Sequence, residues 1–187
     1  MTLRPATERK LLDAAEELFF TRGIAATPVD AVLERSGVSA ATLYRGWASK
    51  EALVAAALER RQRDWLTTWD RAVERAADER GRVLAVFDAL DEYRSAPAGS
   101  RWCAFLGTAS EYADAPPELA DVLGAETATL RERLTATTAA VVGDARADEV
   151  AEQLVLVVTG SLAMRLRTAG GGTEVARAVA AALLDVR

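Results

Sequence analysis

The chain has 187 residues, half of them hydrophobic, enough to bury one large core or two small ones. Its formal net charge is −5, and it contains one cysteine and no histidine. That composition excludes an internal disulfide, a Cys/His metal cluster and the usual general base of neutral-pH catalysis.

The pattern is helical almost throughout. Leu11, Ala14, Ala15, Leu18 and Phe19 recur at helical spacing, and Gly23 is a plausible stop. In "ATPVDAVLERSG" the expected N-cap is Thr27, with Pro28 at the first helical position and Asp30 in the first turn. Val29, Val32 and Leu33 then face inward, and Gly37 ends the helix. Ser39 is placed to cap a third helix over residues 40–45. Gly46 interrupts, and Ser49 caps a long fourth helix that begins at Lys50 and runs to residue 77 or so, with Leu53, Ala56, Ala57, Arg60, Trp65 and Trp69 on its inner side. Further helices are expected near 80–95, 101–112, 117–141, 146–168 and 173–186, separated by the turn-rich "SAPAGS", "ADAPP", "VGDARAD" and "AGGG". "VLVVTG" reads as helix, because no other run of β-branched residues offers it a strand partner. The charged "MTLRPATERK" lacks the apolar run of a signal peptide, and no stretch reaches 18 apolar residues, so the expectation is a reduced, soluble, cytoplasmic protein with no membrane partner.

Two short helices joined by "SGV" behind a bracing first helix make a helix-turn-helix. Gly37 permits a positive φ in the turn, and Val38 plugs the core. In such a unit the second helix enters the DNA major groove, N-terminal residues first. Ser39, Ala40, Ala41 and Thr42 are small enough for close approach to base edges, with alanine methyls for thymine methyls and a hydroxyl for either hydrogen-bonding role. Tyr44 and Arg45 follow at the helix end, suited to phosphates. Lys50 opens the next helix, where an ammonium and free backbone N–H groups form an anion site. The charge distribution agrees weakly: residues 1–63 hold 10 basic and 8 acidic side chains, residues 64–187 hold 13 and 20.

"GVSAATLYRGWASKEAL", with "ERKLLDAAEELFFTRGIAATPVDAVLERSGVS" upstream, resembles the DNA-binding signature of the tetracycline-repressor (TetR) family of bacterial transcriptional regulators. The likeness covers about the first 60 residues. It implies an all-α homodimer in which three N-terminal helices bind DNA and a C-terminal helical domain binds a small effector and dimerises, here residues 1–50 and 51–187. Carried over by position, it implies DNA contacts from Ala40, Ala41, Thr42, Tyr44, Arg45 and Lys50, with Thr27 at a phosphate. Gly46 stands where the family usually has His, Trp47 where it has Phe, and Asp30 where a basic residue is frequent. Fewer charged contacts than usual imply modest affinity or a distinctive operator. Arg4 is a candidate arm residue.

In the remainder, Trp65, Trp69, Phe87, Tyr93, Trp102 and Phe105 either line an apolar effector cavity or fill a core, and Glu111 is the polar candidate that would favour a cationic ligand. Cys103, with only Arg101 as a basic neighbour, reads as a buried structural thiol. Val155, Val158 and Leu162 on the eighth helix and Val179 and Leu183 on the ninth are the expected two-fold dimer face, and Gly160 leaves room for a neighbouring backbone or a ligand. No cofactor, metal or catalytic set is indicated. The expected function is a homodimeric regulator, a repressor released from a palindromic operator by a small molecule. The alternatives are a constitutive DNA-binding regulator, or a small-molecule binding protein or enzyme with a vestigial helix-turn-helix.

Overall fold

The computed structural model describes residues 3–95, 103–167 and 172–186. Among these, the regular structure is nine helices and no strand: α1 Pro5–Arg22, α2 Val29–Ser36, α3 Ala40–Gly46, α4 Lys50–Glu74, α5 Glu79–Ser95, α6 Ala104–Glu111, α7 Pro117–Val142, α8 Asp144–Met164 and α9 Glu174–Asp185. The all-α reading holds, and "VLVVTG" lies inside α8.

The chain divides into two compact units, Met1–Gln62 with Cys103–Gly124, and Arg63–Trp102 with Ala125–Arg187. Both α4 and α7 run through the two units, and α6 belongs with the N-terminal helices. The physical reason is burial. Ala104 and Phe105 of α6 and Leu119 of α7 bury their side chains in the same core as Leu11, Phe19, Val32, Leu43 and Leu53.

In the first unit, α1 packs on α2, and α2 on α3. Gly23 ends α1 at φ 94°, and Gly37 ends α2 in the left-handed region at φ 67°, where a Cβ would be strained. Ser49 caps α4 by accepting from the Ala52 amide at 2.9 Å. Arg60 fixes α4 to α1 through Asp13 at 2.8 Å and Glu16 at 2.5 Å. Burial disfavours the Arg60 cation, but these carboxylates outweigh it and raise its pKa. Trp47 packs on this core, as its bulk suggests. Gly46 has a reason of its own: a Cβ there would lie 2.5 Å from Cδ1 of Leu3, whose side chain occupies that space.

In the second unit, Trp69, Val83, Val86, Phe87, Leu134, Leu154 and Val158 form the core. Helix α9 packs on α5 and α8. Arg80 meets Asp185 at 2.6 Å, Arg177 meets Asp88 at 2.9 Å, and Thr173 donates its hydroxyl to Asp91 at 2.6 Å, so α9 runs antiparallel to α5. These bonds leave Ala180 and Leu184 buried and Val175 and Val179 facing outward.

Candidate nucleic-acid interface

The first unit presents α3 to solvent. Leu43 is its fully buried residue, and packing of Val32, Leu43 and the half-buried Leu33 and Val38 fixes α3 against α2 and the core. Seven residues are too few for an isolated helix to persist in water, so α3 exists because this packing holds it. With Leu43 inward, Ser39, Ala40, Ala41, Tyr44 and Arg45 point away from the core and are exposed, and Thr42 is half-buried at the edge. Ser39 occupies the N-cap position, yet its hydroxyl bonds the Thr42 hydroxyl at 3.0 Å instead of a backbone amide. The two hydroxyls therefore form a paired polar edge at the tip of the helix. Tyr44 is 51% exposed. A half-exposed phenol beside Arg45 on a face of small side chains suits a phosphate or a base edge.

Two of the expected contact residues have hydrogen-bond partners inside the protein. Thr27 is 2% exposed and does not cap α2; the N-cap position is Pro28. Its hydroxyl turns back to the Gly23 carbonyl at 2.7 Å and the Leu18 carbonyl at 3.4 Å. Burial thus removes Thr27 from any surface that a phosphate can reach. Lys50 stands at the first position of α4, where a cation opposes the helix dipole. Its ammonium relieves this by donating to the Ile24 carbonyl at 2.5 Å, with Nζ 5.8 Å from the centre of the Phe19 ring. Asp30 and Arg4 are exposed.

Glu111, expected beside an aromatic pocket, instead accepts the backbone amides of Ile24 at 3.0 Å and Ala25 at 2.6 Å in the α1–α2 turn. Nearby, Tyr112 donates to Glu51 at 3.3 Å, and its phenol pKa is pushed up to about 12, by burial first and then by Glu51. Sequence reasoning misses this link because residues 24 and 111 are 87 positions apart and no local pattern announces it.

The aromatic candidates divide. Phe105 is part of the first core, and Cys103 is half-buried against it instead of fully buried. Trp102 lies outside the described residues. Trp65, Trp69, Phe87 and Tyr93 belong to the second unit. There Trp65 stands between Trp69, at a ring distance of 5.6 Å, and Tyr93, edge-on at 5.8 Å. Arg133 covers the Trp69 ring at 4.7 Å and pairs with Asp70. The Trp69 indole N–H is buried with no acceptor among the described residues. Glu126 on α7 is half-buried, and burial raises its carboxyl pKa against a weaker opposing bond from Thr127. No group of residues among those described is arranged to hold a metal ion, and no described helix is long and apolar enough to cross a membrane.

Of the expected dimer-face residues, Val158 is buried within its own subunit, Val155, Leu162 and Leu183 are half-buried, and Val179 is 46% exposed. The outward apolar residues of α8 include Leu156 at 74% and Met164. They flank Gly160 at helical spacing, and a Cβ on Gly160 would meet nothing within 4 Å among the described residues.

Residues 11–57 match the family model for bacterial regulatory proteins of the tetR family. The chain is 34% identical over 91 residues to the HTH-type transcriptional activator FasR of Mycolicibacterium smegmatis, covering 48% of this chain and 42% of that protein. It is 36% identical over 102 residues to the HTH-type transcriptional repressor Rv3405c of Mycobacterium tuberculosis, covering 46% of this chain and 54% of the relative. The match thus spans about half the length of these curated relatives. The fold is similar to that of a putative TetR regulator from Streptomyces avermitilis, with a TM-score of 0.79, 28% identity and 96% coverage of both chains. It is also similar to a TetR-family regulator from Streptomyces coelicolor, with a TM-score of 0.80, 24% identity and coverage of 97% and 94%. Joined to the buried-Leu43, left-handed-Gly37 geometry of the α2–α3 unit, these likenesses make residues 11–57 similar to the DNA-binding segment of bacterial regulatory proteins of the tetR family, within a fold similar to that of TetR-family regulators.

Proposed function

We propose that the protein is a homodimeric DNA-binding transcriptional regulator, a repressor that leaves a near-palindromic operator when a small molecule binds. The observation that carries the reading is α3 itself, sealed to the core by Leu43 and offering Ser39, Ala40, Ala41, Tyr44 and Arg45 outward. Ala40, Ala41 and Thr42 read base edges at close range, and Tyr44 and Arg45 hold phosphates. Lys50 has two N–H donors beyond the one given to Ile24, and these face a phosphate at the start of α4. Residues 1–50 serve as the DNA-binding part and residues 51–187 as the effector and dimer part, with α6 acting on the head.

Dimerisation buries the outward strip of α8 and α9, Leu156, Met164, Val175 and Val179, with Val155, Leu162 and Leu183 at its margin and Gly160 admitting the second copy closely. A two-fold dimer places its recognition helices about 34–36 Å apart, one turn of DNA. The effector site is the ring cluster Trp65, Trp69 and Tyr93, with Phe87 in the core beside Trp69, where the Trp69 N–H has no acceptor among the described residues. Release needs differential affinity: moving occupancy from 99:1 to 1:99 takes about 10⁴-fold, roughly 5.5 kcal/mol.

One observation favours a constitutive regulator instead. Trp69 and Phe87 are almost fully buried in the second core, as in a site already filled by protein. Selection of binding sites by the purified protein from random duplex DNA tests the main reading. A two-fold symmetric motif supports it, and no enriched motif contradicts it. Release of that duplex by small aromatic molecules separates the effector-controlled form from the constitutive one.

A further inference from the structure

We propose that Glu111 is a positioning residue for DNA binding, holding the reading head in register through the α1–α2 turn; this rests on α3 being a DNA-reading helix. The last residue of α6 reaches across to the first unit's turn, and each carboxylate oxygen takes one backbone amide, Ile24 on Oε1 and Ala25 on Oε2. The carbonyl of the same Ile24 accepts the Lys50 ammonium at 2.5 Å and the Thr27 amide at 3.2 Å. One residue of the turn is therefore gripped by α6 from one side and by α4 from the other. Gly23 borders the grip: a Cβ there would stand in ordinary contact with Oε1 at 3.5 Å, and it is the φ of 94° that favours glycine.

The turn is the hinge-point of the head. Val29 begins α2 only four residues beyond Ala25, α2 packs on α1, and α3 packs on α2. Whatever fixes the Ile24–Ala25 backbone fixes where α3 stands. Both bonds are charge-assisted, the stronger class. Bonds of 2.6 and 3.0 Å leave hydrogen-bonding range after a displacement of roughly 1 Å, so a small movement of α6 releases the turn. Glutamine cannot substitute. It offers one acceptor and turns an N–H toward an N–H.

The test is Glu111→Gln in the full chain, read by hydrogen exchange of the Ile24 and Ala25 amides and by affinity for the duplex that the wild type selects. Both amides should exchange about tenfold faster, and affinity should fall about tenfold, with the salt dependence unchanged. Charge works the other way, since removing an acidic group strengthens attraction to phosphates, so a fall reports position. Wild-type exchange in the variant, or faster exchange with undiminished affinity, overturns the proposal. If the variant does not fold, the wild type decides the grip: its Ile24 and Ala25 amides must be protected, and rapid exchange overturns it. Protected amides in a wild type that binds no duplex overturn the regulator reading instead.

Discussion

Thr27→Val separates the core role of this threonine from a phosphate role. The side chain is 2% exposed, and its hydroxyl donates to the Gly23 carbonyl at 2.7 Å, with the Leu18 carbonyl at 3.4 Å. Valine keeps the volume but replaces the hydroxyl by a methyl, leaving the Gly23 acceptor without this donor. Losing a buried neutral bond and stranding its partner costs about 1–2 kcal/mol. In a chain of this length each kcal/mol shifts the melting temperature by about 2–4 °C, so the expected fall is roughly 2–8 °C. The assay is thermal melting followed by circular dichroism at matched protein concentration, because subunit association also shifts the midpoint. DNA binding by the folded variant should keep its salt dependence, since no phosphate contact is lost. Unchanged melting together with a salt slope smaller by about 0.9 would refute this reasoning and put the hydroxyl on a phosphate.

Lys50→Ala should weaken binding to every duplex and lower the salt slope by about 0.9, one phosphate, while also destabilising the turn that loses its Ile24 partner. An unchanged slope would leave Lys50 a positioning role only. The Tyr112 phenol is raised in the fold from 10.0 to about 12, so the unfolded chain ionises first. Its stabilisation is therefore complete below pH 10 and is lost between pH 10 and about 12. A rise from 10.0 to about 12 corresponds to about 2.7 kcal/mol, which solvent at this half-buried site cuts to about 1 kcal/mol. Melting of Tyr112→Phe against pH should lack that component; identical alkaline profiles would exclude it. Leu156→Glu, on the outward strip of α8, should shift sedimentation toward the monomer, and an undisturbed dimer would place the interface elsewhere.

The local parts of this molecule are legible in its sequence. Gly37 and Leu43 mark the turn and the inward face of α3 because positive φ and helical spacing are local properties. Ser49 caps α4 as its spacing suggests. Thr27 shows where that logic stops. A threonine before a proline fits an N-cap, but its hydroxyl can turn forward to an amide or back to a carbonyl, and tertiary burial decides for Gly23. Periodicity marks Phe105 as buried without saying in which core. It likewise sets Trp65 and Trp69 on one face of α4 but is silent on Tyr93 meeting Trp65 edge-on. Glu111 on Ile24 and Leu3 over Gly46 are illegible for the same reason: each joins distant segments whose meeting depends on the packed fold.

The central claim is that α3 reads bases. The most direct measurement repeats the random-duplex selection with Thr42→Ala beside the wild type. Thr42 sits at the edge of the exposed face with its hydroxyl paired to Ser39. If α3 reads bases, the variant enriches a motif changed at the same symmetric position in both half-sites and otherwise preserved. An identical motif from the two proteins would contradict base reading by this helix.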